Sequence, residues 1–367
     1  MWQILGEIVM MSVGLILIYL AVSKGYEPLL LLPIGFGAVL ANIPFADIAA
    51  SGGILDVLRV HGIENELLPA LIFVGIGAMS DFTSLIRRPM LLIFAAAGQL
   101  GIFLTLNLAL VLGFSPLEAS SIGIIGAMDG PTAIFVTQRF APHLLGPVTV
   151  CAYSYMSLVP LLQIPLSRWL TTRSERSIAM EYKEEELPRA VRVLFPVIVF
   201  LVSSFLAPQG ALLMGTLMLG NLMRESGVVG RLSDVAQNEL ANIVTLLLGL
   251  SIGGTMTAEA FLNTSTLYVF ALGLVAFILA ISFGLLFAKL MKALTGGKIN
   301  PLIGACGVSA FPMAARTAHM LGRQEDQDNW LLPHTLATNV GGQIASVAAG
   351  GAILSYVPFV LGLLGIA

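Results

Sequence analysis

The stretch IIGAMDGPTAIFVTQRF (Ile124 to Phe140) sets a carboxylate, a glycine and a proline in succession, Asp129, Gly130 and Pro131, inside an apolar run. An ionised side chain at bilayer depth costs about 2.5 to 3.5 kcal/mol on insertion scales, and a proline inside a helix about 3 kcal/mol more. Burial, charge and broken backbone together point to a functional acid. A second interrupted segment, NPLIGACGVSAFPMAAR (Asn300 to Arg316), supplies Asn300, Ser309 and a terminal cation, Arg316. A third polar cluster, HTLATNVGGQIAS (His334 to Ser346), sets Thr338, Asn339 and Gln343 inside the last long apolar run. Interrupted helices turn N–H and C=O ends toward a cavity, and unwound carbonyls beside a carboxylate suit a hard monovalent cation or a proton. In CAYSYMSLVPLLQIP (Cys151 to Pro165) the residues Tyr153 and Tyr155 lie about 200° apart around a helix, so only one of them faces the core.

The elements that must hold these residues are membrane helices. Hydrophobic residues make up 57% of the chain and charged ones only 11%, against about a quarter charged in soluble proteins. The net charge of −3, with no basic arm or aromatic-interleaved basic patch, excludes a nucleic-acid partner. Cys151 and Cys306 have no metal or CxxC spacing and read as small buried hydrophobes. His61, His143, His319 and His334 show no metal spacing either. Apolar runs of spanning length cover Ile4 to Val22, Met90 to Leu112, Leu144 to Leu166 and Leu267 to Leu290. The first is expected to be a spanning helix and not a cleaved signal, since it has no basic n-region or A-x-A site. Val191 to Ala207 and Leu331 to Leu364 are further spans, the latter expected to break near Gly341 and Gly342. Shorter glycine-rich pieces lie between them and must pack among other helices or face water. Glu118, after Ser115 and Pro116, reads as a first-turn carboxylate at a helix start.

One hydrophilic stretch, Ser167 to Arg192, holds eleven charged residues, six of them basic, and divides the chain nearly in half. Its basic residues, with Lys289, Lys292 and Lys298, put it on the cytoplasmic face. The halves resemble each other. GAVLANIP (Gly37 to Pro44) matches GTLMLGNL (Gly215 to Leu222), FVGIGAMSDF (Phe73 to Phe82) matches LSIGGTMTAEAF (Leu250 to Phe261), and SIGIIGAMDGP (Ser121 to Pro131) matches NPLIGACGVSAFP (Asn300 to Pro312). All three stand 176 to 179 residues apart. The expected architecture is an all-α polytopic membrane protein of about 11 to 12 membrane elements, with two inverted pseudo-repeats whose broken helices meet near the midplane. Residues 1–166 form the first repeat, 167–192 the connector and 193–367 the second.

GAMDGPTAIFV, AYSYMSLVPLLQIP, NPLIGACGVSAFPMAAR and NVGGQIASVAAGG, in this order, resemble the hallmark segments of the β subunit of the sodium-pumping biotin-dependent decarboxylases. That family serves oxaloacetate, methylmalonyl-CoA, glutaconyl-CoA and malonate decarboxylases. The resemblance implies a membrane subunit that decarboxylates carboxybiotin, consumes a proton from the periplasmic side and moves Na⁺ outward. Carried onto this chain, it makes Asp129 the central carboxylate, Tyr155 (in preference to Tyr153) and Ser309 polar groups handling proton and sodium, and Asn300, Gly304 and Asn339 the lining of the ion path. Arg316 matches the arginine that meets the carboxybiotin carboxylate. ATNVGG (Ala337 to Gly342) departs from the family's usual GPNVAG, and GAMDGP from GAADGP. The chain also lacks the longer insertion of some oxaloacetate members, which leans toward an acyl-CoA decarboxylase.

The implied cofactors are Na⁺ and a biotin carried by a partner, since this chain has no MKM biotinylation sequence. The implied partners are a small single-span γ subunit, a carboxyltransferase α subunit and a biotin carrier protein, with a homo-oligomer expected within the complex and the cell inner membrane as its location. Without the resemblance, the same acid, broken helices and repeats serve equally a stand-alone Na⁺-coupled secondary transporter, a carboxylate symporter or Na⁺/H⁺ antiporter.

Overall fold

The structure, a computed structural model, describes residues 2–25, 28–182 and 187–365, and among these it is helical with no strand. In chain order the helices that matter here are α1 (Trp2–Lys24), α2 (Pro28–Ala41), α3 (Leu67–Met79), α4 (Leu91–Val111), α5 (Pro116–Gly123), α6 (Gly130–Phe140) and α7 (Leu145–Ser157). They continue as α8 (Val159–Leu170), α9 (Arg189–Leu206), α10 (Ala211–Ser226), α11 (Ala241–Gly254), α12 (Thr264–Leu294), α13 (Met313–Glu325) and α14 (Leu332–Leu363). Six stretches among the described residues are long and apolar enough to cross a membrane, and two pairs bent by 62° raise the number to 8. The chain is therefore an integral membrane protein.

Two expectations about spans are corrected. The run Leu144 to Leu166 is no straight span: α7 and α8 meet at the 62° bend, where Pro160 has no amide to continue the ladder. The break expected at Gly341 and Gly342 is absent, and α14 runs unbroken. A Cβ on Gly342 would come within 2.5 Å of the Val308 carbonyl oxygen, so this glycine admits a neighbouring backbone without bending its own helix. The hydrophilic stretch opens inside a helix, since α8 continues to Leu170, and its residues 183–186 lie outside the described residues.

Polar residues at helix starts do the capping that their sequence suggests. Ser115 accepts from the Glu118 amide at 3.3 Å while the Ser115 amide donates to the Glu118 carboxylate at 2.9 Å, a reciprocal box at the start of α5. Asn263 accepts from the Thr266 amide at 2.8 Å and starts the 31-residue α12. Cys151 and Cys306 are buried free thiols.

Among the described residues two large hydrophobic cores form beside two small clusters. One gathers Met10 and Leu17 of α1, Leu30 and Ile34 of α2, and Leu248 and Ile252 of α11. The larger one gathers α4 to α6, α10, α12 and α14 around Phe94, Phe135 and Phe277. Within and between these cores, helices touch backbone to backbone. Where α3 crosses α10, a Cβ on Gly77 would run into the Leu217 carbonyl and one on Gly220 into that of Val74. Where α2 crosses α11, Gly37 and Gly253 face the Leu250 and Ile34 carbonyls in the same manner. Between apolar helices in lipid such small-residue contact replaces the hydrophobic drive that water would supply. Gly77→Val is expected to cost about 3 kcal/mol of stability, the upper end for overpacking, whereas Gly230→Ala, with nothing within 4 Å of the added methyl, leaves the melting midpoint unchanged. Thermal melts of the detergent-solubilised protein check both, and equal midpoints would rule out the close crossing.

Candidate functional site

Helix α5 tightens into a 3₁₀ turn at Ile124–Ala127, and Met128 then adopts a left-handed backbone with φ of 54°. A non-glycine residue there costs about 1 to 2 kcal/mol, which the surrounding packing holds in place. The turn throws Asp129 into an extended conformation at the N-cap of α6, where its Oδ1 accepts from the Thr132 amide at 3.3 Å. The second interruption is built likewise: a 3₁₀ turn at Pro301–Cys306, non-helical chain, a cis Phe311-Pro312 peptide, then α13. The two breaks bond to each other. The Ser309 amide donates to the Ala127 carbonyl at 3.2 Å, and the Ser309 hydroxyl donates to Asp129 Oδ2 at 3.3 Å. From α14 the Ser346 hydroxyl reaches the same oxygen at 2.6 Å. Asp129 is only 4% exposed, and among the described residues no basic side chain pairs with it. Beside it lies a cavity of about 140 Å³ lined by Leu30, Ile72, Met128, Tyr153, Ser309 and Gln343. Leu30, Ile72 and Tyr153 belong to one hydrophobic core and Met128 to the other, so the acid sits at the seam between them.

Of the residues singled out from the sequence, Asp129 and Ser309 meet directly. Asn339 supports the second break: its amide nitrogen donates to the Val308 carbonyl at 2.6 Å and lies 3.4 Å from that of Cys306, leaving its Oδ1 buried and unbonded among the described residues. Gly304 is a packing residue, its Cα pressed on the backbone of Gly284 in α12. Asn300 caps the 3₁₀ turn, accepting from the Leu302 amide at 3.0 Å, and its amide nitrogen is turned toward the connector, donating to the carbonyls of Arg176 and Ile178 at 2.8 and 2.9 Å. Arg316 is exposed on α13, and among the described residues its guanidinium has no hydrogen-bond or ion-pair partner. The two tyrosines of α7 lie in different surroundings. Tyr155 donates to the Phe270 carbonyl of α12 at 2.9 Å and stacks edge-on against Phe277, while Tyr153 lies on the cavity with its ring against Gly130. The reason is the 200° offset: Tyr153 turns to the seam and Tyr155 to α12.

Sequence reasoning missed Ser346, the nearest partner of the acid. The signal was available, since Asn339, Gln343 and Ser346 recur at i, i+4 and i+7 on one face of α14. It missed Gln99 as well, whose amide nitrogen donates to the Gly307 carbonyl at 3.1 Å and whose Oε1 is buried without a partner. Nothing in the apolar run around Gln99 marks it. Ser80, 3.0 Å from Gln343 Oε1, and Asn221, which donates to the Ser80 carbonyl at 2.9 Å, extend the polar chain toward α10.

The fold and the site define an integral membrane protein in which a buried acid, free of any basic partner described, lies where two interrupted helices meet. Residues 6–357 match the model of the family of the Na⁺-transporting oxaloacetate decarboxylase beta subunit, and the chain belongs to that family. It is 49% identical to glutaconyl-CoA decarboxylase subunit beta of Acidaminococcus fermentans over 96% of this chain and 93% of that one. It is also 49% identical to methylmalonyl-CoA decarboxylase subunit beta of Veillonella parvula, over 95% and 93%, and 41% identical to the oxaloacetate decarboxylase beta chain of Klebsiella pneumoniae, over 96% and 95%. It is thus a membrane β subunit of a Na⁺-transporting decarboxylase and acts within a multi-subunit complex.

The connector is bound tightly over the second break. Asn329 shares with Asn300 the carbonyls of Arg176 and Ile178, Arg176 pairs with Glu325 at 2.5 Å, and Glu175 meets Lys292 at 3.0 Å and Lys289 at 3.5 Å. Burial alone would raise the Glu175 pKa, but the Thr172 amide and the two ammonium groups outweigh it and hold the carboxyl below its ordinary range. A depressed folded-state pKa gives stability that is present above the unfolded value and lost as pH falls through the folded one. Glu175→Gln should therefore lower the melting midpoint near neutral pH, with the gap to the parent protein closing as the pH drops below about 4. Melts over a pH series check this, and a gap constant with pH would show that the charge does not matter.

Proposed function

We propose that this subunit decarboxylates carboxybiotin with consumption of a proton and couples the reaction to outward Na⁺ transport, Asp129 holding Na⁺ and the proton in turn. The observation that carries the proposal is the carboxylate at the meeting of the two breaks, ringed by Ser309, Ser346 and the Thr132 amide and lacking a described cation to neutralise it. Oxygen donors suit Na⁺, and two further buried acceptors without partners, Asn339 Oδ1 and Gln99 Oε1, stand on groups that bind the carbonyls of the second break. A proton and Na⁺ cannot both neutralise one carboxylate, so arrival of the first releases the second.

In the reaction the bond between the ureido nitrogen and the carboxylate carbon breaks, CO₂ leaves, and that nitrogen takes the proton. The exposed Arg316, without a partner among the described residues, would hold the carboxylate, and Tyr153, which shares the cavity with Asp129, would pass the proton. The biotin belongs to a carrier protein, with a carboxyltransferase α subunit and a single-span γ subunit completing a complex in the cell inner membrane. The alignment with the oxaloacetate decarboxylase chain extends over 413 positions where that with the glutaconyl-CoA chain needs 352, which favours an acyl-CoA substrate for the complex. Reciprocal packing of α2 on α11 and of α10 on α3 supports two repeats, taken here as inverted, flanking the connector at 167–192.

Asp129→Asn should abolish both Na⁺-dependent decarboxylation and Na⁺ uptake into inverted vesicles while leaving the complex assembled, and retention of both would refute the proposal. Tyr153→Phe should slow CO₂ release about 100-fold, as loss of a general acid does. Tyr155→Phe should cost mainly stability, about 1 kcal/mol for one hydrogen bond; the opposite order would assign the proton to Tyr155.

A further inference from the structure

A groove of about 620 Å³ runs between α9 and α14, walled by Phe195, Val199 and Val202 on one side and Ile344, Ala348 and Ala352 on the other. Of the two hydroxyls in its lining, that of Ser203 is satisfied within α9, bonding the Val199 carbonyl at 2.7 Å, so the walls between the ends are apolar. Only 6% of the spanning window of α9 is buried, which leaves the groove open to the surrounding hydrocarbon. From Phe195 to Leu206 it covers about 16 Å at helical rise, close to the hydrocarbon depth of one leaflet, about 15 Å. Tyr356 closes the far end, its hydroxyl bonded to the Leu206 carbonyl.

The connector end is different. Phe82 packs on Phe195 with centroids 5.4 Å apart, which fixes the segment Thr83–Arg87 against the first turns of α9. Arg87 follows the groove residues Leu85 and Ile86, and Arg192 lies one turn before Phe195. Among the described residues each Nε is without a hydrogen-bond partner, Arg87 donates to the Tyr182 hydroxyl at 3.4 Å, and Arg192 forms an ion pair with Glu225 at 3.4 Å. Two guanidinium groups at the connector end of a leaflet-deep apolar groove, each with terminal nitrogens engaged by only one described contact, match an anionic phosphate with an acyl chain hanging from it.

We propose that this groove holds an acyl chain of an anionic phospholipid whose phosphate is gripped by Arg87 and Arg192. The chain would press on the face of α14 opposite to Ser346, since Ile344 and Ser346 lie about 200° apart, and so brace the helix that reaches Asp129. The site is independent of the ion chemistry.

Native mass spectrometry of the whole complex released from nanodiscs of equimolar phosphatidylglycerol and phosphatidylcholine tests it. Phosphatidylglycerol should be retained on each β chain with a preference of about thirty-fold, two arginines each giving about a factor of five near the surface. The double variant Arg87→Gln, Arg192→Gln should bring that preference near unity, and Ala348→Trp, which fills the groove, should remove the retained lipid whatever its headgroup. An unchanged preference in the double variant, or full retention in Ala348→Trp, overturns the proposal. So does a cross-link from Val202→Cys in the wild-type background that joins a partner subunit's helix in place of lipid. Should the double variant fail to assemble, Ala348→Trp and the cross-link decide alone.

Discussion

One buried carboxylate dictates how much of this molecule is built. Asp129 is almost sealed from solvent, and no described basic group shares its surroundings; among the described residues only hydroxyls and an amide meet it. An uncompensated charge at this depth would neutralise or draw in water. Hydroxyls solve this without a fixed counter-charge. A lysine or arginine beside the acid would make a permanent pair and leave no vacancy for exchange, whereas Ser309 and Ser346 can stabilise an anion and serve as oxygen ligands in turn.

Holding such a site demands irregular backbone at membrane depth, and each freed group must then be paired inside the protein. The Ala127 carbonyl of the first break is taken by the Ser309 amide of the second, and the carbonyls of Cys306, Gly307 and Val308 are taken by Asn339 and Gln99. The breaks are thus each other's caps, and the side chains of α14 and α4 finish the work. That mutual capping requires close approach, which explains why the contacts of α12 and α14 with the second break fall on glycines, Gly284 against Gly304 and Gly342 against Val308.

Much of this was legible in the sequence because lipid makes the code simple. Apolar length marked five of the six full-length spans, missing Gly230–Gly254 because its first half is polar, and the coincidence of Asp129, Gly130 and Pro131 marked the first break, because each of the three is costly inside a buried helix. What escaped notice has physical causes too. Glycine has two uses in membrane helices, breaking them or letting neighbours close in, and at Gly341 and Gly342 the second applies while the residues alone suggest the first. Tyr153 and Tyr155 differ only by which face of α7 meets the seam, and that face is set by partners far away in the chain. Ser346 was hidden by being ordinary: a serine in a helix commonly bonds its own backbone, and only the stripe it shares with Asn339 and Gln343 distinguishes it. Asn300 turns its amide nitrogen to the connector carbonyls and its oxygen to the Leu302 amide of its own turn. The site itself did not separate a decarboxylase subunit from a stand-alone transporter; the family match did.

The geometry also bears on how an event at the surface can be felt at a buried acid. Ser309 and Arg316 are seven residues apart on one segment, with the Arg316 amide tied to the Pro312 carbonyl at 3.1 Å, so the exposed guanidinium and the hydroxyl that touches Asp129 are carried by the same short length of chain. The start of that segment is fastened to the connector through Asn300, and its middle to α14 through Asn339. A displacement of Arg316 would have its shortest route to Asp129 along the stretch between these ties, where Ser309 meets both Ala127 and Asp129. Coupling of this kind needs no long relay through the protein. It needs only that the second break have two arrangements differing by a few kcal/mol, and a non-helical stretch at the seam of two cores is where such freedom is least costly.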